Sequence, residues 1–183
     1  MNDNNFGMKR NSLLRGEKIR LRAVEPEDVQ LMFAVENDDS EWLNSDNIAP
    51  FSREQLMQYA LTYDSDPLRS GQLRLIIESI ETSQAVGIVD LYEISSIHAH
   101  GYIGIYIIPS FRGRGYARES IEKICEYAHR RLRLRHLAAR IISLNEASVK
   151  LFTRCGFVKA GELKDWAIID NDPATVLIFQ KRL

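Results

Sequence analysis

Polar and apolar residues alternate over 18–24 (Lys-Ile-Arg-Leu-Arg-Ala-Val), the period of a half-buried strand. The period then lengthens. Pro26, Glu27 and Asp28 open a helix that continues through Val29, Met32, Phe33 and Glu36, with proline and acids where a helix N-terminus favours them. A polar stretch over 37–51 carries Trp42, and Ser52 with Gln55 forms a capping-box pattern ahead of Leu56, Tyr59 and Ala60. Residues 64–71 read as loop, while 73–79 and 86–92 read as two strands joined by a turn at 81–84. A second turn at 95–100 precedes an apolar strand over 101–108. From about Gly115 the helical period returns, with Ile121, Ile124, Cys125, Ala128 and Leu132 on one face. A strand over 137–144 and a helix capped by Asn145 and ended by Gly156 follow. The chain closes on a hairpin of 157–169 and 175–180 across Asp170 to Pro173. Seven strands and four helices result, an α/β (α+β) chain in the order strand, two helices, three strands, helix, strand, helix, two strands.

The junction at 103–118 organises the rest. A β-branched run ends at Pro109, a basic glycine-rich turn follows, and a helix begins. The first N–H groups of a helix have no internal partner and its dipole places partial positive charge there, so the turn suits an anion. Gly113 and Gly115 let the backbone bend tightly and come close to a ligand. Arg112, Arg114 and Arg118 add guanidinium groups that match phosphate oxygens. A cradle for a pyrophosphate is the simplest reading. Two nucleotide motifs are excluded: no Gly-Lys-Ser/Thr occurs, and Arg118 stands where the dinucleotide fingerprint needs its third glycine.

Charge sharpens that picture. The 183 residues suit one domain, and a formal net charge of −1 argues against a nucleic-acid binder. Yet Arg112 to Arg135 holds eight Lys/Arg against three Glu, a local basic face that fits a phosphate-bearing cofactor better than a duplex. Cys125 and Cys155 form no redox or zinc spacing, and no apolar run spans a bilayer or heads a signal peptide, so a cytoplasmic location without membrane contact is expected. His98 and His100 lack an evident third ligand, so no metal is expected. Residues 1–16 read as a loosely ordered tail before a domain over 17–183.

Arg112, Gly115 and Ala117 resemble the Arg/Gln-x-x-Gly-x-Gly/Ala signature of the GNAT superfamily of acetyl-CoA-dependent N-acyltransferases. Asn145-Glu146-Ala147-Ser148 and Cys155-Gly156-Phe157 follow at the spacing that family uses. The resemblance implies a single GNAT-like domain whose mixed sheet is splayed at its centre. It implies acetyl-CoA as co-substrate, its diphosphate on Arg112, Gly113, Arg114, Gly115, Tyr116 and Ala117. The pantetheine arm would pair with the backbone of Ile105, Tyr106 and Ile107, with Asn145 and Ser148 nearby. The acceptor would be a small-molecule amine, spermidine above all, or a protein N-terminus; dimers are common in the family, so a homodimer is an expectation.

Two departures bear on catalysis. The acid of many relatives is a tyrosine at the position of Phe152, and a central-strand glutamate of many relatives falls at Tyr102. Tyr102, Tyr106 or Tyr116 can substitute as acid, and Glu93 and Asp90 are the nearest carboxylates to serve the amine. Leu91-Tyr92-Glu93-Ile94 resembles a substrate-facing segment of polyamine acetyltransferases, and Trp42 is placed as a wall of the acceptor site.

Overall fold

A computed structural model describes residues 12–38, 48–64 and 66–183. Seven strands form one sheet: β1 (Ile19–Ala23), β2 (Leu73–Ser79), β3 (Ala85–Ser95), β4 (His100–Ile107), β5 (His136–Ile142), β6 (Val158–Ile169) and β7 (Asp172–Arg182). The spatial order is β1-β2-β3-β4-β5-β7-β6, antiparallel except where β4 meets β5. The helices are α1 (Val29–Glu36), α2 (Arg53–Thr62), α3 (Pro67–Ser70), α4 (Tyr116–Arg130) and α5 (Glu146–Arg154).

Alternating side chains sort the core onto two faces. Leu75, Ile77, Val89, Leu91, Ile103 and Ile107 pack against Ile121, Ile124 and Ala128 of α4. Ile76 and Ile88 instead meet Val29 and Met32 of α1 and Leu56 and Ala60 of α2. β2 is covered on both faces, which is why Leu75, Ile76 and Ile77 form an unbroken apolar run in it.

The sheet parts in the middle. β4 pairs with β5 only from His100 to Tyr102, opposite His136 to Ala138. Among the described residues, the β4–β5 pairing stops at Tyr102 and no other strand continues it along that edge.

Several details correct the sequence reading. Residues 66–71, read as loop, contain α3, a single turn capped by the Asp66 carboxylate, opened by Pro67 and closed by Gly71 at φ 76°. β3 runs three residues past Tyr92, because a bulge between Tyr92 and Ser95 absorbs an extra residue, with Glu93 at φ 48°. The final turn tightens to Asp170 and Asn171, both left-handed (φ 51° and 70°), as a two-residue hairpin connection requires. Pro173 is tolerated in β7 because it lies outside the β5-paired part, Val176 to Arg182. Residues 12–16, assigned to the loose tail, are docked: Leu14 accepts from the N–H of Leu21 and packs on the main core, and Arg15 bridges to Arg20.

Candidate functional site

The turn between β4 and α4 supplies an anion cradle. A 3-10 turn over Pro109–Phe111 leads into Gly113 (φ 79°) and Gly115 (φ 87°), both left-handed. A Cβ on Gly113 would meet no atom within 4 Å, so its Cα side is open. Among the described residues, the N–H groups of Gly113 to Arg118 donate to no backbone acceptor, and the first intrahelical bond of α4 comes from Glu119 to the Gly115 carbonyl. Fifteen residues of aligned helix stand behind them.

These amides border a cleft of about 420 Å³ lined by the end of β4 (Ile107), the turn (Phe111, Gly113, Gly115) and the first turn of α4 (Tyr116, Ala117, Arg118). The opposite wall is α5, through Ala147, Lys150, Leu151 and Arg154. Their spacing of three, one and three places them on one helix face, and docking of α5 beside α4 turns that face inward. Sequence reasoning missed these four; the i, i+3, i+4, i+7 pattern was the only signal.

The arginines divide their labour. Arg112 folds back to donate from Nε to the Ile107 carbonyl (2.9 Å) and lies over the Tyr106 ring (5.5 Å). Arg114 donates to the Ser110 carbonyl (3.1 Å) and covers Phe111 (5.2 Å). Both brace the strand-turn junction, while Arg118, Lys150 and Arg154 are the cations on the cleft wall. Arg118 is paired to Glu122 and Lys150 to Glu146, each at 2.8 Å and solvent-exposed, pairs that a multivalent phosphate can outcompete.

Of the expected pantetheine contacts, Ile105, Tyr106 and Ile107 all lie beyond the last β4–β5 pair, on the open edge. Asn145 caps α5, its Oδ1 accepting from the N–H of Ser148 at 3.0 Å. Ser148 stays off the wall that Ala147 and Leu151 form. The Tyr116 hydroxyl is buried against Ser79 Oγ at 3.4 Å.

The opposite face of β3 and β4, beside the split, carries Asp90, Tyr92, Tyr102 and Tyr106. Tyr92 and Tyr102 are cross-strand partners whose rings stack at 5.6 Å, and Tyr92 Cε1 lies 3.7 Å from where a Gly104 Cβ would stand. Arg140 reaches from β5 over the Tyr102 ring (4.0 Å) and grips Glu93 with two hydrogen bonds, 2.6 and 2.9 Å. Those bonds hold the Glu93 carboxyl below the usual range, against a small opposing effect of burial. Asp90 is likewise bound through both oxygens by Arg74 (2.8 Å each), whose other nitrogen meets Glu36 at 2.5 Å. Trp42, expected on the acceptor wall, lies outside the described residues.

Phe152 is core: 3% exposed, its ring edge-on to Phe157 at 5.1 Å. Burial pushes the Cys125 thiol up to about 12 and raises that of Cys155, so both cysteines are packing residues. No described helix is long and apolar enough to cross a membrane.

The sequence model of the acetyltransferase (GNAT) domain matches residues 18–158. An uncharacterized N-acetyltransferase, YoaA, of Bacillus subtilis (strain 168) is 26% identical over 163 residues, covering 88% of this chain and 91% of that protein. Spermidine N(1)-acetyltransferase of Vibrio cholerae serotype O1 is 27% identical over 157 residues, 84% of this chain and 87% of the relative. The crystal structure of a spermidine N-acetyltransferase from Vibrio cholerae in complex with CoA and spermine superposes with a TM-score of 0.80 at 24% identity, covering 91% and 96% of the two chains; at that identity it speaks to the fold.

Proposed function

The chain belongs to the acetyltransferase (GNAT) family, and on that premise we propose that it moves acetyl from acetyl-CoA directly to a primary amine, a polyamine such as spermidine, without a covalent enzyme intermediate. The observation that carries the donor half is the row of N–H groups from Gly113 to Arg118, opening into the cleft beside the sheet's split. A diphosphate fits there, since it needs many donors, close backbone approach and nearby cations, and the glycines, the α4 terminus, Arg118, Lys150 and Arg154 supply them. The open edge at Ile105 to Ile107 suits a pantetheine arm, whose amides can add to a sheet as a strand would.

Acetyl-CoA supplies the acetyl group activated as a thioester. The nitrogen that attacks must be unprotonated, and the sulfur that leaves is helped by a proton. Tyr102, at the last paired position before the split, is the group we assign to the departing sulfur. Glu93 is assigned to take the amine proton through water; its grip on Arg140 makes it a weak base, so its contribution is modest. The polyamine assignment is supported by the spermidine-acetylating relative and by Glu36, Asp90 and Glu93 gathering on the acceptor face. One observation favours a second acceptor, the α-amine of a protein N-terminus: these three carboxylates are already neutralised by Arg74 and Arg140.

Thiol release from acetyl-CoA over spermidine, spermine, amino acids and peptides tests both. Spermidine giving the highest kcat/KM supports the first reading, and turnover restricted to peptides selects the second. Tight CoA binding with no release for any amine would reveal a coenzyme-A sensor and overturn the transferase.

A further inference from the structure

The segment just before β1 is fastened to the far side of the phosphate loop. The Glu119 carboxylate, in the first turn of α4, accepts from the backbone N–H groups of both Glu17 and Lys18, the latter at 2.9 Å. Lys18 then extends its ammonium to the Arg114 carbonyl at 3.1 Å. The approach is so close that a Cβ on Gly16 would stand 2.2 Å from Glu119 Oε1, so the contact requires glycine there or a displaced carboxylate. Nothing in the loop's own motif contains Gly16, Lys18 or Glu119.

The geometry points to Lys18, oriented by Glu119, as a positioning residue that aims the Gly115 N–H into the coenzyme site. This rests on the reading of the loop as the diphosphate site. The Arg114–Gly115 peptide is trans and planar, so its C=O and N–H point in opposite directions. Lys18 holds the carbonyl, and Gly115 lines the cleft while Lys18 does not. Gripping the carbonyl from behind therefore fixes the amide toward the ligand. A glycine-flanked peptide has several accessible orientations, and holding one of them before binding spares the ligand that ordering cost. Lys18 works from outside the cleft and needs no contact with phosphate.

Charge and orientation give opposite signs for a substitution at Glu119. Glu119 is a negative charge in the first turn of a helix that faces an anion, so by Coulomb repulsion alone its neutralisation should tighten coenzyme binding. If Glu119 instead orients Lys18, Glu119→Gln should weaken it. Calorimetric titration of CoA into the full chain, with Glu119→Gln, Lys18→Met, Lys18→Arg and Gly16→Ala beside it, reads the difference. Lys18→Met is expected to weaken CoA about tenfold, the worth of one charge-assisted bond, with Glu119→Gln and Gly16→Ala losing about threefold. Lys18→Arg should recover most of the loss. In turnover, the KM for acetyl-CoA should rise far more than kcat falls. The KM for S-acetylpantetheine, which lacks the diphosphate, should hardly move; an equal rise for both donors would indicate general damage and overturn the proposal. Tighter binding by Glu119→Gln, or CoA affinity unchanged in Lys18→Met, would also overturn it while leaving the coenzyme site intact. Failure of the unaltered protein to bind CoA would instead remove the diphosphate reading on which the brace rests.

Discussion

The two ends of the site use charge in opposite ways. At the coenzyme end the donors are backbone N–H groups that bond to no backbone acceptor among the described residues, and the wall cations Arg118 and Lys150 sit in exposed pairs. At the acceptor end every carboxylate described beside the split is gripped by an arginine: Asp90 and Glu36 by Arg74, Glu93 by Arg140. One end is an unfilled set of donors; the other is a self-satisfied network. A ligand at the first gains contacts at little cost, whereas a cationic amine at the second must compete with guanidinium groups or bind elsewhere on that face. On the proposed function, generic recognition would lie in main chain and selectivity in side-chain pairs that can be rearranged.

The largest effect is expected where main chain does the binding. Gly115→Val places a β-branched residue at φ 87° and a Cβ 3.4 Å from Lys18 Nζ. The turn must change conformation, and CoA affinity by calorimetry should fall about 100-fold, the equivalent of left-handed strain plus lost amide contacts. Retained affinity would remove main chain from the coenzyme end.

At the acceptor end the first consequence of mutation should be structural. Asp90→Asn leaves the half-buried Arg74 with only Glu36, and urea denaturation should show a loss of about 2 kcal/mol, below the range for a fully buried pair because both side chains keep some solvent contact. A raised KM for spermidine with unchanged stability would instead make Asp90 an amine ligand and erase the contrast.

The smallest effect concerns Glu93. Its carboxyl is depressed in the folded chain by the bonds from Arg140, so the pair stabilises above the ordinary carboxylate pKa and the contribution disappears as pH falls through the lower folded value. Both partners are well exposed, so solvent screens the pair and its contribution to stability is small. Arg140→Met should flatten the acid limb of the unfolding midpoint against pH by about a degree or two for a chain of this size, an effect on the scale of a surface pair. An unchanged limb would mean that Arg140 does not hold Glu93 in solution.

How much of this could be read in advance depended on range. The coenzyme turn was legible because strand, glycines and helix start are contiguous in 103–118, and local physics suffices there. The acceptor end was not. Asp90 finds Arg74 sixteen residues away and Glu93 finds Arg140 forty-seven away, and only the strand register makes them neighbours. The sequence pattern puts Glu93 just past the strand end, whereas a bulge keeps it inside β3 and Arg140 of β5 meets it. Lys150 and Arg154 carry no local signal of a site, and only the docking of α5 beside α4 puts them on the cleft wall. Arg112 and Arg114 looked like phosphate ligands because charge is visible in a sequence and side-chain direction is not.

Among the described residues, the strand pairing that joins a four-stranded leaf to a three-stranded one is three residue pairs between β4 and β5. A guest lying in that gap and bonding to β4 would act as an eighth, borrowed strand. On the proposed reading the donor substrate would also be a piece of architecture, and amide exchange along β4 should slow when it arrives and quicken again once the spent thiol departs.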